Sequence, residues 1–379
     1  MKKKQLLHLV TKLPEKYNSK FVEFSQQNLI EYQHTYVCLV SGDNANEDRE
    51  LYDADIINLD TLGRRQKMIT LYQLFLSPKY DLIVFHGLFY TGAFLTFLAL
   101  LFKFTHLAQK SLWMTWGGDI YYFQNRPNTT GGYINERLRK SIIKKLFFIS
   151  SLIPDELELI KVNYQSKAVN LSAFYPNPTP YDDDQNNYFA TDATAERFTF
   201  LLGNSADPQN NHLEMLHALG HLKSSIKVYC VLSYAIVDKA YVERVKSLGQ
   251  ELFGDNFTAI SNFMAPIEYR KFIATIDFAC YYHNRQQAMG NVFQFLYMGK
   301  TVFLREDTLS CLFLQDHGLT VQNTDELNNL TIEHLSRLKK SSQQNVKTSR
   351  RIVDNNFSEP AATVKWQNML KRIFALIKK

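Results

Sequence analysis

The sequence predicts an α/β fold with two doubly wound parallel-sheet domains. The chain has 379 residues, which is more than one ordinary domain holds. Its 45% hydrophobic and 21% charged residues are typical of a globular protein with a sizeable core. Short apolar runs alternate with helical periods in both halves of the chain, which is the pattern of parallel strands joined by helices.

The first half contains five apolar runs that predict strands. They cover residues 36–41, 81–86, 112–115, 145–150 and 168–171. The apolar stretch 82–104 contains His86, Gly87 and Gly92, so it indicates a strand, a turn and a buried helix rather than a transmembrane span. The N-terminal LLHLV run is too short for the core of a signal peptide.

A proline-rich and then polar segment predicts the domain boundary. YPNPTP at 175–180 precedes DDDQNNYFATDAT at 182–194. We therefore predict a first domain at 1–181, a linker at 182–195, a second domain at 196–356 and a terminal helix at 357–379. Strands of the second domain are predicted at 198–202, 227–232, 257–260, 278–282 and 301–304.

Cysteine usage and known motifs exclude several kinds of chemistry. The four cysteines are widely separated and form no CxxC pair, which argues against a zinc site and favours free thiols in a reducing compartment. The sequence contains no GxSxG, P-loop or HExxH pattern. We expect no cofactor, no bound metal and no nucleic acid partner.

Two polar clusters in the first half follow predicted strands, where doubly wound domains bind ligands. Asp119 in the run Trp116–Gly117–Gly118–Asp119 is a candidate general base, and His86 is a second candidate. Trp116 and Tyr122 are suited to stacking on a sugar or a lipid. The alternatives are a turn with core aromatic residues and a structural histidine.

Three clusters in the second half follow strands in the same way. Small residues let a phosphate approach the backbone, a helix N-terminus attracts it, and Arg285 adds a charged hydrogen-bond donor. A plain strand-to-helix turn and a polar surface loop are the alternatives. The candidate binding residues are Gly203, Asn204, Ser205, Tyr234, Arg285, Gln286, Gln287, Gly290 and Asn291.

The net charge of +6 is concentrated in a few segments, of which RLRKSIIKK at 137–145 is the densest. Such a segment attracts an anionic membrane surface, although a solvated helix face produces the same pattern. The candidate membrane contacts are Arg137, Arg139, Lys140, Lys144 and Lys145.

Four segments resemble glycosyltransferase family 56, the family of TDP-Fuc4NAc:lipid II Fuc4NAc transferases. They are FHGLF (85–89), WMTWGGDIYY (113–122), LLGNSADPQNNH (201–212) and HNRQQAMGN (283–291). The resemblance implies a GT-B fold, in which two Rossmann-like domains face each other across a cleft. It implies that the second domain binds a TDP-sugar and that the first binds a polyprenyl-diphosphate-linked glycan.

The same resemblance assigns roles to individual residues. Donor binding falls to Gly203, Asn204, Arg285, Gln286, Gln287 and Gly290, and the acceptor side to His86, Trp116, Gly117 and Asp119. It further implies peripheral association with the cytoplasmic face of the bacterial inner membrane. The expected activity is transfer of a deoxyamino sugar in the synthesis of a surface polysaccharide such as enterobacterial common antigen.

The sequence departs from the family at two positions, which leaves other interpretations open. Tyr122 stands where the family tends to have an acidic residue, and Ala288 replaces the glycine of a QQG motif. Amides at Gln286 and Gln294 replace two glutamates that many GT-B enzymes carry. The alternatives are a transferase using a UDP-sugar in lipopolysaccharide or capsule assembly, and a non-catalytic sugar-nucleotide-binding protein.

Overall fold

The computed structural model describes residues 2–13, 16–41, 54–178, 181, 197–235 and 238–377. The chain forms two compact units. Met1–Pro178 and Glu359–Lys379 form the first unit, and Thr179–Ser358 form the second. The predicted linker at 182–195 lies outside the described residues.

The first unit contains a seven-stranded parallel sheet in the order β3-β2-β1-β4-β5-β6-β7. Its strands are β1 (Lys4–Leu13), β2 (Tyr32–Ser41), β3 (Asp55–Asn58), β4 (Leu82–His86), β5 (Ser111–Met114), β6 (Phe148–Ser150) and β7 (Val169–Leu171). All five strands predicted in the first half are present, with ends shifted by a few residues. The stretch 82–104 forms a strand, a turn and a helix, as predicted.

Helices cover both faces of this sheet. They are α1 (Lys16–Asn28), α2 (Arg64–Leu76), α3 (Gly92–Phe104), α4 (Tyr122–Asn125), α5 (Thr130–Ile143) and α6 (Glu156–Tyr164). Alternate residues of β1 point to opposite faces. Leu7 and Leu9 pack with α2, α3, α5 and α6, whereas Leu6 and Val10 pack with α1 and the C-terminal helix α13 (Glu359–Ile377).

Strands β1 and β3 of this sheet were not predicted from the sequence, although β1 lies at its centre. Residues Gln5–Val10 of β1 are buried. A strand that is covered on both faces has no polar and apolar alternation to reveal it. His8 interrupts this apolar run, and its position becomes important at the functional site.

The second unit contains a six-stranded parallel sheet in the order β10-β9-β8-β11-β12-β13. The strands are β8 (Phe198–Leu202), β9 (Ile226–Val231), β10 (Phe257–Ile260), β11 (Phe278–Tyr281), β12 (Thr301–Leu304) and β13 (Gln322–Asn323). The helices are α7 (His212–Leu219), α8 (Lys239–Phe253), α9 (Pro266–Ala274), α10 (Met289–Tyr297), α11 (Leu309–Asp316) and α12 (Ile332–Phe357). The five strands predicted here are all present.

Two features of the C-terminal region differ from expectation. Helix α12 has 26 residues and was not predicted, because its buried side chains are few and widely spaced. The terminal helix α13 belongs to the first unit, where Trp366 and Leu370 are buried.

Within the described part of the chain, no helix is both long and apolar enough to span a bilayer.

Candidate functional site

Each sheet has one point at which the strand order reverses direction. In the first unit this point lies between β1 and β4, and in the second it lies between β8 and β11. Ligands of doubly wound domains bind outside the carboxyl ends of the strands at such a point. His86 ends β4 and Gly203 directly follows β8. The predicted clusters that begin at these two residues therefore lie at the two switch points.

In the first unit, His86 belongs to a continuous chain of hydrogen bonds. Its Nδ1 lies 2.6 Å from the Tyr175 hydroxyl oxygen, and its Nε2 lies 2.9 Å from Nδ1 of His8. Nε2 of His8 lies 2.9 Å from Nδ1 of His34. Nε2 of His34 lies 3.2 Å from the Leu29 carbonyl oxygen, where the chain ends.

The Leu29 carbonyl sets the direction of every bond in this chain. Burial lowers the pKa of His86 to about 3 and that of His34 to about 4, and it also lowers the pKa of His8, so the three rings are neutral at pH 7. A neutral imidazole has one donor and one acceptor, and a carbonyl only accepts. Each ring therefore donates through Nε2, and the Tyr175 hydroxyl donates to Nδ1 of His86.

This arrangement favours a positioning role for His86 over the predicted role of general base. The only nitrogen of His86 that can accept a proton already accepts the Tyr175 hydroxyl. The ring also packs against Phe21, whose centroid is 4.7 Å away, and Phe21 packs in turn against Trp366 of α13 at 4.8 Å. The C-terminal helix thus supports the histidine chain from one side.

Partly exposed aromatic rings lie beside the histidine chain. Trp116 stacks on Tyr175 with their ring centroids 4.1 Å apart, and Tyr17 meets the edge of Trp116 at 5.1 Å. All three side chains are partly exposed. Their faces can contact the apolar side of a sugar ring or a lipid chain. Trp116 was predicted for the acceptor side, whereas Tyr17 and Tyr175 were not.

Asp119 holds two loops of the first unit together. Its carboxylate accepts hydrogen bonds from the backbone N–H of Leu88 at 2.9 Å, the Trp113 indole at 2.7 Å and the backbone N–H of Trp116 at 2.8 Å. Burial raises the pKa of Asp119, while these bonds and the Arg139 charge oppose the rise. With 1% exposure, the side chain is placed to position the loops rather than to act as the predicted general base.

The glycines of the first unit allow these loops to pack closely. Gly87 has a φ of +81°, and a Cβ built there would lie 2.5 Å from the Phe89 ring. Gly117 and Gly118 form the turn between Trp116 and Asp119, in which Gly118 N–H donates to the Trp116 carbonyl. The Tyr122 ring lies 4.9 Å from the Arg139 guanidinium, which fixes its orientation at the start of α4.

Arg139 is not a membrane contact, and that prediction is wrong. It is 1% exposed because it lies on the inward face of α5, and its guanidinium donates to the Leu88 and Asp119 carbonyl oxygens. Arg139 therefore braces the same two loops that Asp119 joins. The other predicted cations are exposed: Arg137, Lys140, Lys144 and Lys145.

In the second unit, Asn210 organises the loop that follows β8. Its Oδ1 accepts from the Asn204 backbone N–H at 2.8 Å and from His283 Nε2 at 2.9 Å. Its Nδ2 donates to the Ser205 hydroxyl at 3.1 Å. Gly203 has a φ of +65°, and a Cβ there would lie 2.8 Å from Oδ1 of Asn210. Only a glycine fits where this loop folds back on itself.

Three predicted donor-binding residues meet in one network. Asn204 donates through Nδ2 to the Tyr234 hydroxyl at 2.8 Å and accepts from Gln287 Nε2 at 3.0 Å. These residues come from the loops after β8, β9 and β11. The three loops therefore form one polar surface at the switch point of the second sheet.

Arg285 joins the same surface from the third loop. Its Nε donates to Gln209 Oε1 at 2.6 Å, its Nη1 donates to the Gln286 carbonyl at 2.9 Å, and its Nη2 lies 3.7 Å from Asp207. The side chain is 12% exposed, so it keeps an accessible edge. An accessible guanidinium held in this way suits a diphosphate.

Helix α10 begins beside Arg285 and places Gly290 and Asn291 in its first turn. The dipole of α10 is favourable for an anion at this end of the helix. The preceding residue, Ala288, has a φ of +59°, in the left-handed region that favours glycine.

The family comparison covers nearly the whole chain. The model of the 4-alpha-L-fucosyltransferase family, glycosyl transferase group 56, matches residues 3–373. The chain belongs to this family. It is therefore a glycosyltransferase, and the expectation from the four resembling segments is confirmed.

Several solved structures of similar fold are glycosyltransferases. A glycosyltransferase from Rickettsia africae has a TM-score of 0.70 at 14% identity, covering 99% of both chains. Anabaena HepE, solved with UDP and glucose, has a TM-score of 0.72 at 12% identity, covering 97% of this chain and 100% of that one. WaaG, which is involved in lipopolysaccharide biosynthesis, has a TM-score of 0.63 at 13% identity, covering 95% of this chain and 99% of that one. The group 56 chain therefore has the GT-B fold.

Ala288, which stands where the resemblance implies a glycine, has a left-handed backbone. Glycine adopts this conformation most easily. Among the residues that the structure describes, no group of three or more His, Cys, Asp or Glu side chains could hold a metal ion.

Several supporting residues were not identified as site residues from the sequence. His8 and His34 lie in the body or at the start of strands β1 and β2, and Tyr175 lies in the proline-rich segment assigned to the boundary. A histidine inside an apolar run was the one available signal, because a buried imidazole needs partners. Nothing in the sequence revealed which partners it has.

Proposed function

We propose that this glycosyltransferase moves a deoxyamino sugar of the Fuc4NAc type from a TDP-sugar to a polyprenyl-diphosphate-linked glycan. The observation that carries the donor half is the network joining Asn204, Tyr234 and Gln287, with Arg285 and the start of α10 beside it. Amides and one guanidinium suit a sugar with an acetamido group and a diphosphate. Metal-independent transfer is part of this proposal, because Arg285 supplies the cation.

The acceptor half of the proposal rests on the first unit. Tyr17, Trp116 and Tyr175 expose aromatic faces beside loops that Asp119 and Arg139 hold rigid. Such a surface suits the sugars of a lipid-linked glycan. Positioning an acceptor in this way removes much of the entropic cost of bringing two substrates together.

The proposed location is the cytoplasmic face of the bacterial inner membrane, with peripheral attachment. An acceptor on a polyprenyl carrier stays at the bilayer, so the enzyme must reach it there. The exposed cations Arg137, Lys140, Lys144 and Lys145 support attachment to anionic lipid.

A second candidate is a transferase that uses a UDP-sugar in lipopolysaccharide or capsule assembly. HepE was solved with UDP-glucose, and WaaG is involved in lipopolysaccharide biosynthesis. Both share only the fold with this chain. The group 56 match favours the TDP-sugar, and it disfavours a non-catalytic binding protein.

Thermal shift followed by transfer assays tests the proposal. A ligand that binds only the folded state raises the melting temperature according to its affinity. We expect TDP and TDP-4-acetamido-4,6-dideoxygalactose to stabilise the enzyme more than UDP and UDP-glucose. Transfer of that sugar to a polyprenyl-diphosphate-linked glycan should follow. Turnover of UDP-sugars with no turnover of TDP-sugars would establish the second candidate instead.

A further inference from the structure

One side of helix α3 is exposed and apolar. Its buried side packs on the sheet through Leu95, Leu98 and other apolar residues. Leu100 and Phe104 are 51% and 73% exposed on the other side, and the only charged residue of the helix is Lys103. A single exposed apolar side chain is ordinary, but apolar residues grouped on one surface indicate an interaction site.

Helix α5 runs beside α3 in the same direction. At one end the Gly92 backbone N–H donates to Asn135 at 3.0 Å, and at the other the Lys145 ammonium donates to the Phe102 carbonyl oxygen at 3.3 Å. Arg137, Lys140 and Lys144 are exposed and spaced three and four residues apart. This spacing places them in one row on the outer side of α5.

The exposed face of these two helices, called the α3–α5 face here, carries cations and no exposed carboxylate. The one acidic residue of the two helices is Glu136, whose side chain is 16% exposed and lies 3.8 Å from the buried Arg139. Tyr133 and Ile134 add exposed apolar surface at the start of α5, with 53% and 55% exposure. An apolar row beside a cationic row is the pattern of a surface that lies on an anionic bilayer.

We infer that the α3–α5 face is a membrane-docking surface for anionic lipid. Leu100 and Phe104 enter the boundary between headgroups and acyl chains, and Arg137, Lys140 and Lys144 contact the phosphates. This inference rests on the proposed lipid-linked acceptor, and it goes beyond the cationic segment predicted from the sequence because α3 supplies the inserted side chains.

The α3–α5 face begins at the acceptor side of the site. Phe89, which is 51% exposed, connects β4 to α3 and lies over Gly87. A Cβ on Gly87 would also lie 3.0 Å from Trp116, so Phe89, which leads into α3, and Trp116 of the aromatic cluster both lie against Gly87. A glycan on a membrane-embedded carrier would meet the aromatic cluster where the protein enters the headgroup region.

The charge of this face argues against a second copy of the chain as its occupant. A two-fold symmetric dimer brings the same surface of both subunits together. Arg137, Lys140 and Lys144 of both subunits would then lie in one interface, with no exposed carboxylate on α3 or α5 of either subunit to pair with. Anionic lipid supplies the missing negative charge.

Vesicle binding by the full-length protein tests the inference. We expect binding to vesicles of phosphatidylglycerol and phosphatidylethanolamine and weaker binding to phosphatidylcholine. Leu100→Ser/Phe104→Ser should lower the partition coefficient at least about tenfold at every salt concentration. Arg137→Gln/Lys140→Gln/Lys144→Gln should lower it about fivefold for each cation at low salt. Binding of the Leu100→Ser/Phe104→Ser variant at the wild-type level would overturn the inference.

A matched control and a depth measurement sharpen the result. Ile30→Ser/Val364→Ser removes two apolar side chains with 62% and 56% exposure near the opposite face of the sheet, and it should bind as wild type does. The single variant Phe104→Trp adds a tryptophan whose fluorescence should be quenched by lipids brominated on the acyl chain. No quenching of this added tryptophan, or self-association in lipid-free solution that Leu100→Ser/Phe104→Ser abolishes, would contradict bilayer insertion.

The readouts separate this inference from the proposed function. TDP binding by thermal shift should be the same in all these variants, because α3 and α5 lie in the first unit. Transfer to a water-soluble acceptor analogue should also be unchanged, while transfer to a vesicle-bound acceptor should fall with vesicle binding. Vesicle binding without any transfer from TDP-sugars would refute the proposed donor and leave the docking surface intact.

Discussion

The two units use the same topological position in different ways. At the switch point of the first sheet, His86 and Asp119 are 3% and 1% exposed, and their polar atoms bond to the protein itself. At the switch point of the second sheet, Tyr234 is 46% exposed, and its hydroxyl joins the amides of Asn204 and Gln287 in a network formed by three loops. A switch point can therefore be filled by a scaffold that shapes the site or by groups that meet a ligand directly.

The position of a residue after a strand does not by itself show whether the residue shapes the site or meets a ligand. Residues that follow a strand in the first unit hold loops and aromatic rings in place, whereas Tyr234, Arg285 and Gln287 in the second unit are at least partly exposed, so a ligand can reach them. Substitutions in the first unit should therefore act mainly on stability, and those in the second mainly on nucleotide binding.

The largest expected effect is on stability, at Asp119. Asp119→Ala leaves the Leu88 and Trp116 backbone N–H groups and the Trp113 indole N–H without their acceptor, which should cost about 3–5 kcal/mol in the free energy of unfolding. Urea denaturation measures this. Asp307→Ala is the control, since its carboxylate forms an exposed ion pair with Arg305 and should cost less than about 1 kcal/mol.

The milder Asp119→Asn variant separates positioning from catalysis. A positioning role predicts a lower melting temperature and a moderate loss of turnover. A variant with wild-type stability and a loss of about 10²–10⁴ in turnover would restore the role of general base to Asp119.

In the second unit, substitution of Arg285 should affect the binding of TDP. Arg285→Ala should weaken binding of TDP by about 1.5–3 kcal/mol, because a charged hydrogen-bond donor is lost. Isothermal titration calorimetry measures the affinity. Arg197→Ala is the matched control, because Arg197 is exposed and precedes β8, at the opposite edge of the same sheet. Equal TDP affinity of Arg285→Ala and wild type would remove Arg285 from the donor site.

The histidine chain of the first unit should make stability depend on pH. The folded-state pKa values of His86 and His34, about 3 and about 4, lie below the unfolded value of 6.5. Between these values the unfolded chain binds protons that the folded chain does not, so stability is complete above pH 6.5 and falls as pH drops towards 4. The slope is at most about 1.4 kcal/mol per pH unit for each histidine.

A substitution at His34 isolates the contribution of this histidine to the pH dependence of stability. His34→Gln should flatten the fall in unfolding free energy between pH 6.5 and 4, and His217→Gln, at an exposed position on α7, should leave it unchanged. An identical pH dependence of His34→Gln and wild type would show that His34 is not a buried neutral group.

The smallest expected effect is a gain in stability, at Ala288. Ala288→Gly relieves a left-handed backbone and should raise the free energy of unfolding by about 1 kcal/mol. Ala218→Gly in helix α7 should instead lower it by about the same amount. Denaturation curves of the two variants measure the gain and the loss in the free energy of unfolding. Destabilisation by Ala288→Gly would show that the backbone at Ala288 is not strained.

The fold was largely predictable because most strands are short apolar runs that end in glycine or polar residues. Strand β1 and helix α12 escaped prediction for opposite reasons, one being apolar on both faces and the other mostly polar. Predicting β1 needs tertiary contacts, since the alternation of polar and apolar residues disappears when both faces of a strand are buried.

The candidate site was predictable in position but not in detail. The rule that ligands bind after parallel strands located His86, Asp119, Asn204 and Arg285. It did not reveal that Arg139 is buried or that His8 and His34 bond to His86. Those contacts join residues far apart in sequence, so spacing within one segment contains no information about them.

Hydrogen–deuterium exchange with and without a TDP-sugar tests the difference between the two switch points most directly. The account predicts slower exchange in residues 203–211 and 283–291 on binding, with residues 86–89 and 116–119 unchanged. Protection of 86–89 and 116–119, with 203–211 and 283–291 unaffected, would contradict it and place the donor on the first unit.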